Sequence, residues 1–288
     1  MDTDLVLDAH AEVGEGPIWD PDRNLLVWVD VTRGVVHQYL GSGRGVSIEI
    51  GQHVGAAAPR TRGGLVLAVQ SGFALLDLDS GRLDMITDTE ADRPGNRMND
   101  GKCDSAGRFW AGTMSYTLER GAGSLYRLDA ERRVSNVLSD LTLSNGLGWS
   151  PDDKTMYLID SVTQGIDAFA YDGQTGAITK RRRVIDIAPE LGMPDGMTVD
   201  TEGCIWVGLW GGWAVHRYTP DGRLDRAIKV PVGYVTSCAF GGSNLGDLYI
   251  TTAAYQLDAE ALARQPHAGG LFCCRPGPVG LPANAFRG

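Results

Sequence analysis

Positive charge, cysteine-pairing motifs, long apolar runs and helical periodicity are all scarce in this 288-residue chain. Only 26 Lys and Arg stand against 36 Asp and Glu, a formal net charge of −10. That balance argues against a phosphate-backbone partner, so no nucleic acid is expected. The one basic cluster, Arg181-Arg182-Arg183, reads as a solvated loop. Five cysteines (Cys103, Cys204, Cys238, Cys273, Cys274) make an odd count with no C-x-x-C or Cys/His ligand spacing. Reduced thiols fit that better than a disulfide framework. Met1-Asp2-Thr3-Asp4 lacks the basic-then-apolar order of a secretory signal. No apolar run approaches the ~20 residues that span a bilayer. These absences predict a cytoplasmic protein with no membrane association. A Gly-x-Ser-x-Gly nucleophile elbow is missing as well, and neither Ser161 nor Ser237 has a histidine near it in sequence.

What the chain has instead is glycine, 39 residues of it, and short apolar strands within a hydrophobic content of 43%. The most informative stretch is Pro194-Asp195-Gly196-Met197 with the strand Cys204-Ile205-Trp206-Val207-Gly208-Leu209 after it. Alone, Pro-Asp-Gly is a tight-turn signature. Five other segments repeat the arrangement of turn-rich entry, apolar strand, break and further strand. Their strand centres fall at Val27, Leu67, Trp110, Tyr157, Trp206 and Tyr249, separated by 40, 43, 47, 49 and 43 residues. Such a period marks a propeller blade of about four short strands. The chain is therefore expected to be all-β, a six-bladed β-propeller of four-stranded antiparallel blades forming a single domain over residues 1–288. A turn or two of helix is expected only near Asp258–Ala263.

Blades converge on an axis, so equivalent positions meet there. Eleven or twelve residues before the strand centres lie Glu15, Gly55, Asn99, Asn145, Asp195 and Ser237. Taken singly, Asn145 in Ser-Asn-Gly and Asp195 in Pro-Asp-Gly read as turn residues. Together they place two carboxylates and two carboxamides on one ring, which repel unless a cation neutralises them. All-oxygen donors suit a hard divalent cation such as Ca²⁺ or Mg²⁺, with Mn²⁺ open.

At these residues the sequence resembles the SMP-30/gluconolactonase/LRE family. The matching stretches are Gly14-Glu15-Gly16-Pro17-Ile18-Trp19, Arg97-Met98-Asn99-Asp100-Gly101-Lys102, Ala111-Gly112-Thr113-Met114, Gly123-Ser124-Leu125-Tyr126, Ser144-Asn145-Gly146-Leu147, Pro194-Asp195-Gly196-Met197 and Phe240-Gly241-Gly242, with Ala268-Gly269-Gly270-Leu271-Phe272 near the C-terminus. The resemblance implies a six-bladed propeller and a divalent-metal-dependent hydrolase of sugar lactones. It also implies that Glu15, Asn145 and Asp195 hold the metal, that Arg97 and Asn99 contact substrate, and that Glu119 reaches it from the segment before Gly-Ser-Leu-Tyr. Calcium is the favoured ion; Zn²⁺, Mn²⁺, Mg²⁺ and Fe²⁺ stay open.

The expected reaction is hydrolysis of an aldonolactone, such as gluconolactone or xylonolactone, to the aldonic acid. The metal would polarise the carbonyl, with Asp195 as ligand and general base. Trp210, Trp213, Tyr116 and Tyr234 are candidates to wall the mouth. Two alternatives are a phosphotriesterase or aryl-esterase on the same metal and a non-catalytic calcium-binding propeller. The Gly-His and Trp-Asp pairs of scaffold propellers do not recur here.

Overall fold

In the computed structural model, which describes residues 2–288, six four-stranded antiparallel sheets follow one another as the blades of a propeller. From the axis outward, blade one is Gly14–Asp20, Leu25–Asp30, Val35–Gly41 and Arg44–Glu49. Blades two to five begin on the inner strands Val54–Pro59, Asn96–Cys103, Ser144–Trp149 and Met193–Val199. Blade six runs Val235–Gly241, Asp247–Thr252, Leu271–Cys274 and then Asp4–Leu7. The ring thus closes by pairing the chain's first strand with its last, a device the repeat pattern did not reveal. The first strand completes the sixth blade as its outermost strand and ties the two ends of the chain together.

Burial falls from hub to rim and explains the sequence of each strand. Leu25–Asp30 and Leu65–Val69 are buried along their whole length, so they read as continuous apolar runs. Outer strands such as Arg44–Glu49 face water and carry charge. Trp28, Trp110 and Trp206 sit fully buried in the second strands of blades one, three and five. The indole N–H of Trp110 donates to Asp104 Oδ2 at 2.7 Å, and that of Trp206 to Asp200 Oδ2 at 2.8 Å. Trp110 and Trp206 are each thereby tied to the turn between the first and second strands of their blade, whereas the Trp28 indole N–H is buried without a hydrogen-bond partner among the described residues.

Two expectations need correction. Arg181, Arg182 and Arg183 lie not in a loop but in the outer strand Ala177–Asp186 of blade four. There Arg181 and Arg183 donate to the two oxygens of buried Asp167, at 2.8 and 2.7 Å. The basic run supplies counter-charge to a strand-borne carboxylate. Likewise Pro-Asp-Gly and Ser-Asn-Gly are not turns but parts of inner strands. Their glycines answer crowding at the hub: a Cβ on Gly146 would stand 2.7 Å from the Asp195 carbonyl oxygen, and one on Gly196 would meet Ser237. The expected helix is present as Ala259–Arg264, with Asp258 accepting from Ala261 N at 2.8 Å as its cap.

On the face opposite the entry loops, the C-terminal segment crosses from blade five to blades two and three. Thr201 N donates to Val279 O at 3.0 Å and Phe286 N to Pro59 O at 2.8 Å, while the Phe286 ring is fully buried. This segment borders a cavity of about 300 Å³ lined by Trp19, Lys102, Trp149, Phe240 and Leu281. No helix among the described residues is long and apolar enough to cross a membrane.

Candidate functional site

Every ring position identified above lies on an inner strand: Glu15, Gly55, Asn99, Asn145, Asp195 and Ser237. In all six, the register against the second strand slips beside that residue, for example between Glu15 and Ile18, Ser144 and Leu147, and Pro194 and Met197. A slipped register bends a strand and re-aims its side chains, here toward the axis. Two buried aspartates fix the approach. Asp30 accepts from Glu12 N at 2.9 Å and Val13 N at 3.1 Å, immediately before Glu15's strand. Asp160 does the same for Thr142 N and Leu143 N, both at 3.0 Å, before Asn145's strand.

Glu15, Asn145 and Asp195 are each less than a tenth exposed and meet at the hub. The Glu15 and Asp195 carboxyls are hydrogen-bonded to each other. Burial first, and repulsion by neighbouring carboxylates second, push both well above the usual range. Glu15 Oε2 also accepts from Gly16 N at 2.7 Å. Asn145 donates to Ser161 Oγ at 2.9 Å, which fixes its amide, and its oxygen accepts from Asn99 Nδ2 at 3.0 Å. Asn99 Nδ2 donates as well to Ser144 O at 2.9 Å, and Asn99 Oδ1 accepts from Arg97 Nη1 at 2.7 Å. Arg97, Asn99 and Asn145 therefore form one chain of hydrogen bonds ending at the carboxyl pair.

Two further ionisable groups border this cluster and were not singled out from sequence. Asp100 is buried and raised by that burial, with Lys102 opposing. Lys102 reaches from blade three to blade five, its Nζ donating to Met197 O at 2.6 Å, and burial pulls its ammonium down. Both follow Asn99 in the same strand, so the motif Asn99-Asp100-Gly101-Lys102 held the signal. Among the described residues no Lys or Arg nitrogen forms an ion pair with Glu15 or Asp195, and Arg97 pairs with no carboxylate.

Whether a cation suits this place is decided by its donors. No three His, Cys, Asp or Glu cluster to hold a metal among the described residues. Two carboxylates and the Asn145 oxygen, which keeps a free lone pair, make an all-oxygen set that fits a hard divalent ion. Such an ion would offset the charge of the two carboxyls and compete with protons for them.

The mouth is lined unevenly. Glu119 stands exposed in the 116–122 loop and lines a cleft of about 510 Å³ with Asn96, Tyr116 and Arg120. Asn96 ties that loop down by donating to Ala122 O at 2.9 Å. Trp210 and Tyr234 stack at 4.2 Å, with Tyr255 edge-on to Trp210 at 6.5 Å. Tyr255, missed in the sequence, is near enough to Arg97 to influence its charge. Trp213 instead turns outward, 46% exposed.

Comparison with known proteins agrees with this architecture. The family description "SMP-30/Gluconolactonase/LRE-like region" matches residues 13–254. Regucalcin of Gallus gallus is 40% identical over 284 residues, covering 96% of this chain and 95% of that protein. YvrE of Bacillus subtilis strain 168, provisionally named a sugar lactone lactonase, is 39% identical over 274 residues, covering 94% of each. The crystal structure of a calcium-binding protein, regucalcin, from Agrobacterium tumefaciens superposes with a TM-score of 0.95 at 31% identity, covering 100% of this chain and 97% of that one. On sequence and fold alike, the chain belongs to the SMP-30/gluconolactonase/LRE-like family.

Proposed function

We propose that this protein hydrolyses sugar lactones to aldonic acids, using one divalent cation held by Glu15, Asn145 and Asp195. Calcium is the favoured ion, with zinc, manganese, magnesium or iron as alternatives. The observation that carries the reading is the meeting of two buried carboxyls and a carboxamide oxygen, linked through Asn99 to the Arg97 guanidinium. Membership of a family named for gluconolactonase, and the likeness to YvrE, support the substrate class.

A bound divalent cation supplies Lewis-acid polarisation of a carbonyl and offsets the carboxylate charge. Asp195 acts as general base, its carboxylate oxygen taking a proton from the attacking water. The water oxygen bonds to the lactone carbonyl carbon, the acyl bond to the ring oxygen then breaks, and the proton held by Asp195 passes to that oxygen, which leaves as the sugar hydroxyl. Arg97 donates hydrogen bonds to substrate oxygens, and the remaining Asn99 Oδ1 lone pair accepts from a hydroxyl. Glu119 accepts another at the rim. Trp210 and Tyr234 offer a stacked apolar wall to a sugar face. A lactone is an activated ester, so no covalent nucleophile is needed.

The test is acid release from gluconolactone, xylonolactone, galactonolactone and arabinolactone, followed with a pH-indicating dye before and after chelation. Turnover that disappears with chelator and returns with a divalent ion is expected. Full turnover by thoroughly chelated protein would overturn the metal-dependent reading, and failure to open any sugar lactone with metal present would overturn the substrate class.

A further inference from the structure

Above the carboxyl pair, two side chains from neighbouring blades are joined. Tyr116, at the start of the blade-three loop, and His53, at the entry to the inner strand of blade two, share a hydrogen bond of 2.8 Å between the phenol oxygen and Nδ1. Their rings meet edge-on at 5.6 Å. Burial, reinforced by the Arg97 charge, pulls the His53 ring below its usual range, which favours the neutral ring, whose Nδ1 can accept from the phenol. Tyr116 is raised by burial, which keeps it a donor. The Arg97 guanidinium lies 6.0 Å from the Tyr116 ring centroid. Arg97 uses Nη1 for Asn99 Oδ1 and Met98 O, at 2.7 and 2.9 Å, and no carboxylate holds the rest of the group. Tyr116 is thus the aromatic face against which Arg97 rests, and His53 is what anchors that face.

We propose that Tyr116, anchored by His53, is a positioning and specificity element: it orients Arg97 over the mouth and so favours hydroxyl-bearing lactones over unsubstituted ones. This rests on the proposed lactonase reading. A free arginine side chain loses considerable rotamer entropy on binding, and holding it beforehand lowers that cost in the bound state. The effect belongs in KM for substrates whose hydroxyls Arg97 reads, not in the chemical step at Asp195.

The test uses full-length, metal-loaded protein with Tyr116→Phe, His53→Ala, the double variant and Tyr116→Ala. Each is assayed on gluconolactone and on δ-valerolactone, with calcium affinity and melting temperature recorded. Loss of one hydrogen bond should raise KM for gluconolactone about threefold to tenfold. Tyr116→Phe and His53→Ala should give similar increases that do not add in the double variant, since they break one bond. Tyr116→Ala should raise KM further. In all four, kcat, calcium affinity and δ-valerolactone kinetics should stay within about twofold of wild type. An unchanged gluconolactone KM in Tyr116→Phe and His53→Ala would overturn the proposal, as would equal losses on both lactones. A wild-type protein that opens no sugar lactone overturns the lactonase reading and this one with it, and is seen before any variant is compared.

Discussion

Asp195 and Glu15 illustrate a conflict between function and stability at single residues. Both carboxyls are driven up chiefly by burial and then by their carboxylate neighbours. A group whose folded-state affinity for protons exceeds its unfolded one contributes stability below the unfolded pKa and loses it as pH rises through the folded value. Metal-free protein should therefore melt at progressively lower temperature as pH rises above the ordinary carboxyl range. The stabilisation given by calcium should grow over the same range, because the ion takes the place of the proton. Scanning fluorimetry with chelator and with calcium checks both slopes; a calcium increment independent of pH would contradict the account. Asp195→Asn removes one of the two charges without removing bulk. It should cut lactone turnover about 10²–10⁴-fold. In chelated protein it should raise the melting temperature by roughly 2–8 °C, the shift that about 1–2 kcal/mol makes in a chain of this size.

Among the elements, the inner strands explain what could be read from sequence and what could not. Oxygen donors recurring at one repeat phase were visible because each second strand carries an apolar core that marks its centre. The same segments masqueraded as turns, since Asp-Gly and Asn-Gly pairs have two uses: positive φ in a turn and absence of a Cβ in a crowded hub. Gly146 and Gly196 do not take positive φ, and a Cβ on Gly146 would crowd the Asp195 carbonyl oxygen, so here the second use holds. Asp100 and Lys102 went unnoticed because the slipped register of blade three turns residues after Asn99 inward, against simple alternation. Asp30 and Asp160 were silent for another reason: their partners are backbone N–H groups, which leave no trace in side-chain pattern. Asp160→Ala would strand two buried N–H groups before Asn145, costing about 2–4 kcal/mol. Urea unfolding measures that loss, and weaker calcium binding at a temperature where the variant stays folded would show that Asn145 has shifted. Gly146→Ala should be destabilising as well, by about 1–3 kcal/mol, because its new methyl meets backbone rather than a movable side chain.

For the whole molecule, the period announced the propeller but not how it closes. Asp4–Leu7 is a short strand without repeat character, and its partner Leu271–Cys274 lies at the other end of the chain. A local pattern cannot encode a pairing at that separation. The same holds for the C-terminal segment, where Phe286 enters a core built mainly from blades one to three. Phe286→Ala should lower stability by about 3–5 kcal/mol in urea unfolding while leaving calcium affinity near wild type, since the ring is distant in fold from the entry loops. Blade geometry brings residues from positions 15, 145 and 195 to one point, and the proposed chemistry depends on that meeting. Its most direct test is a stoichiometric one. Calcium is titrated into chelated protein while gluconolactone opening is measured at each addition. Activity should rise from background in proportion to metal and saturate at about one equivalent per chain, and Glu15→Gln, Asn145→Ala and Asp195→Asn should each weaken or abolish that response. Full activity before the first addition, or an unaltered response in all three variants, would contradict it.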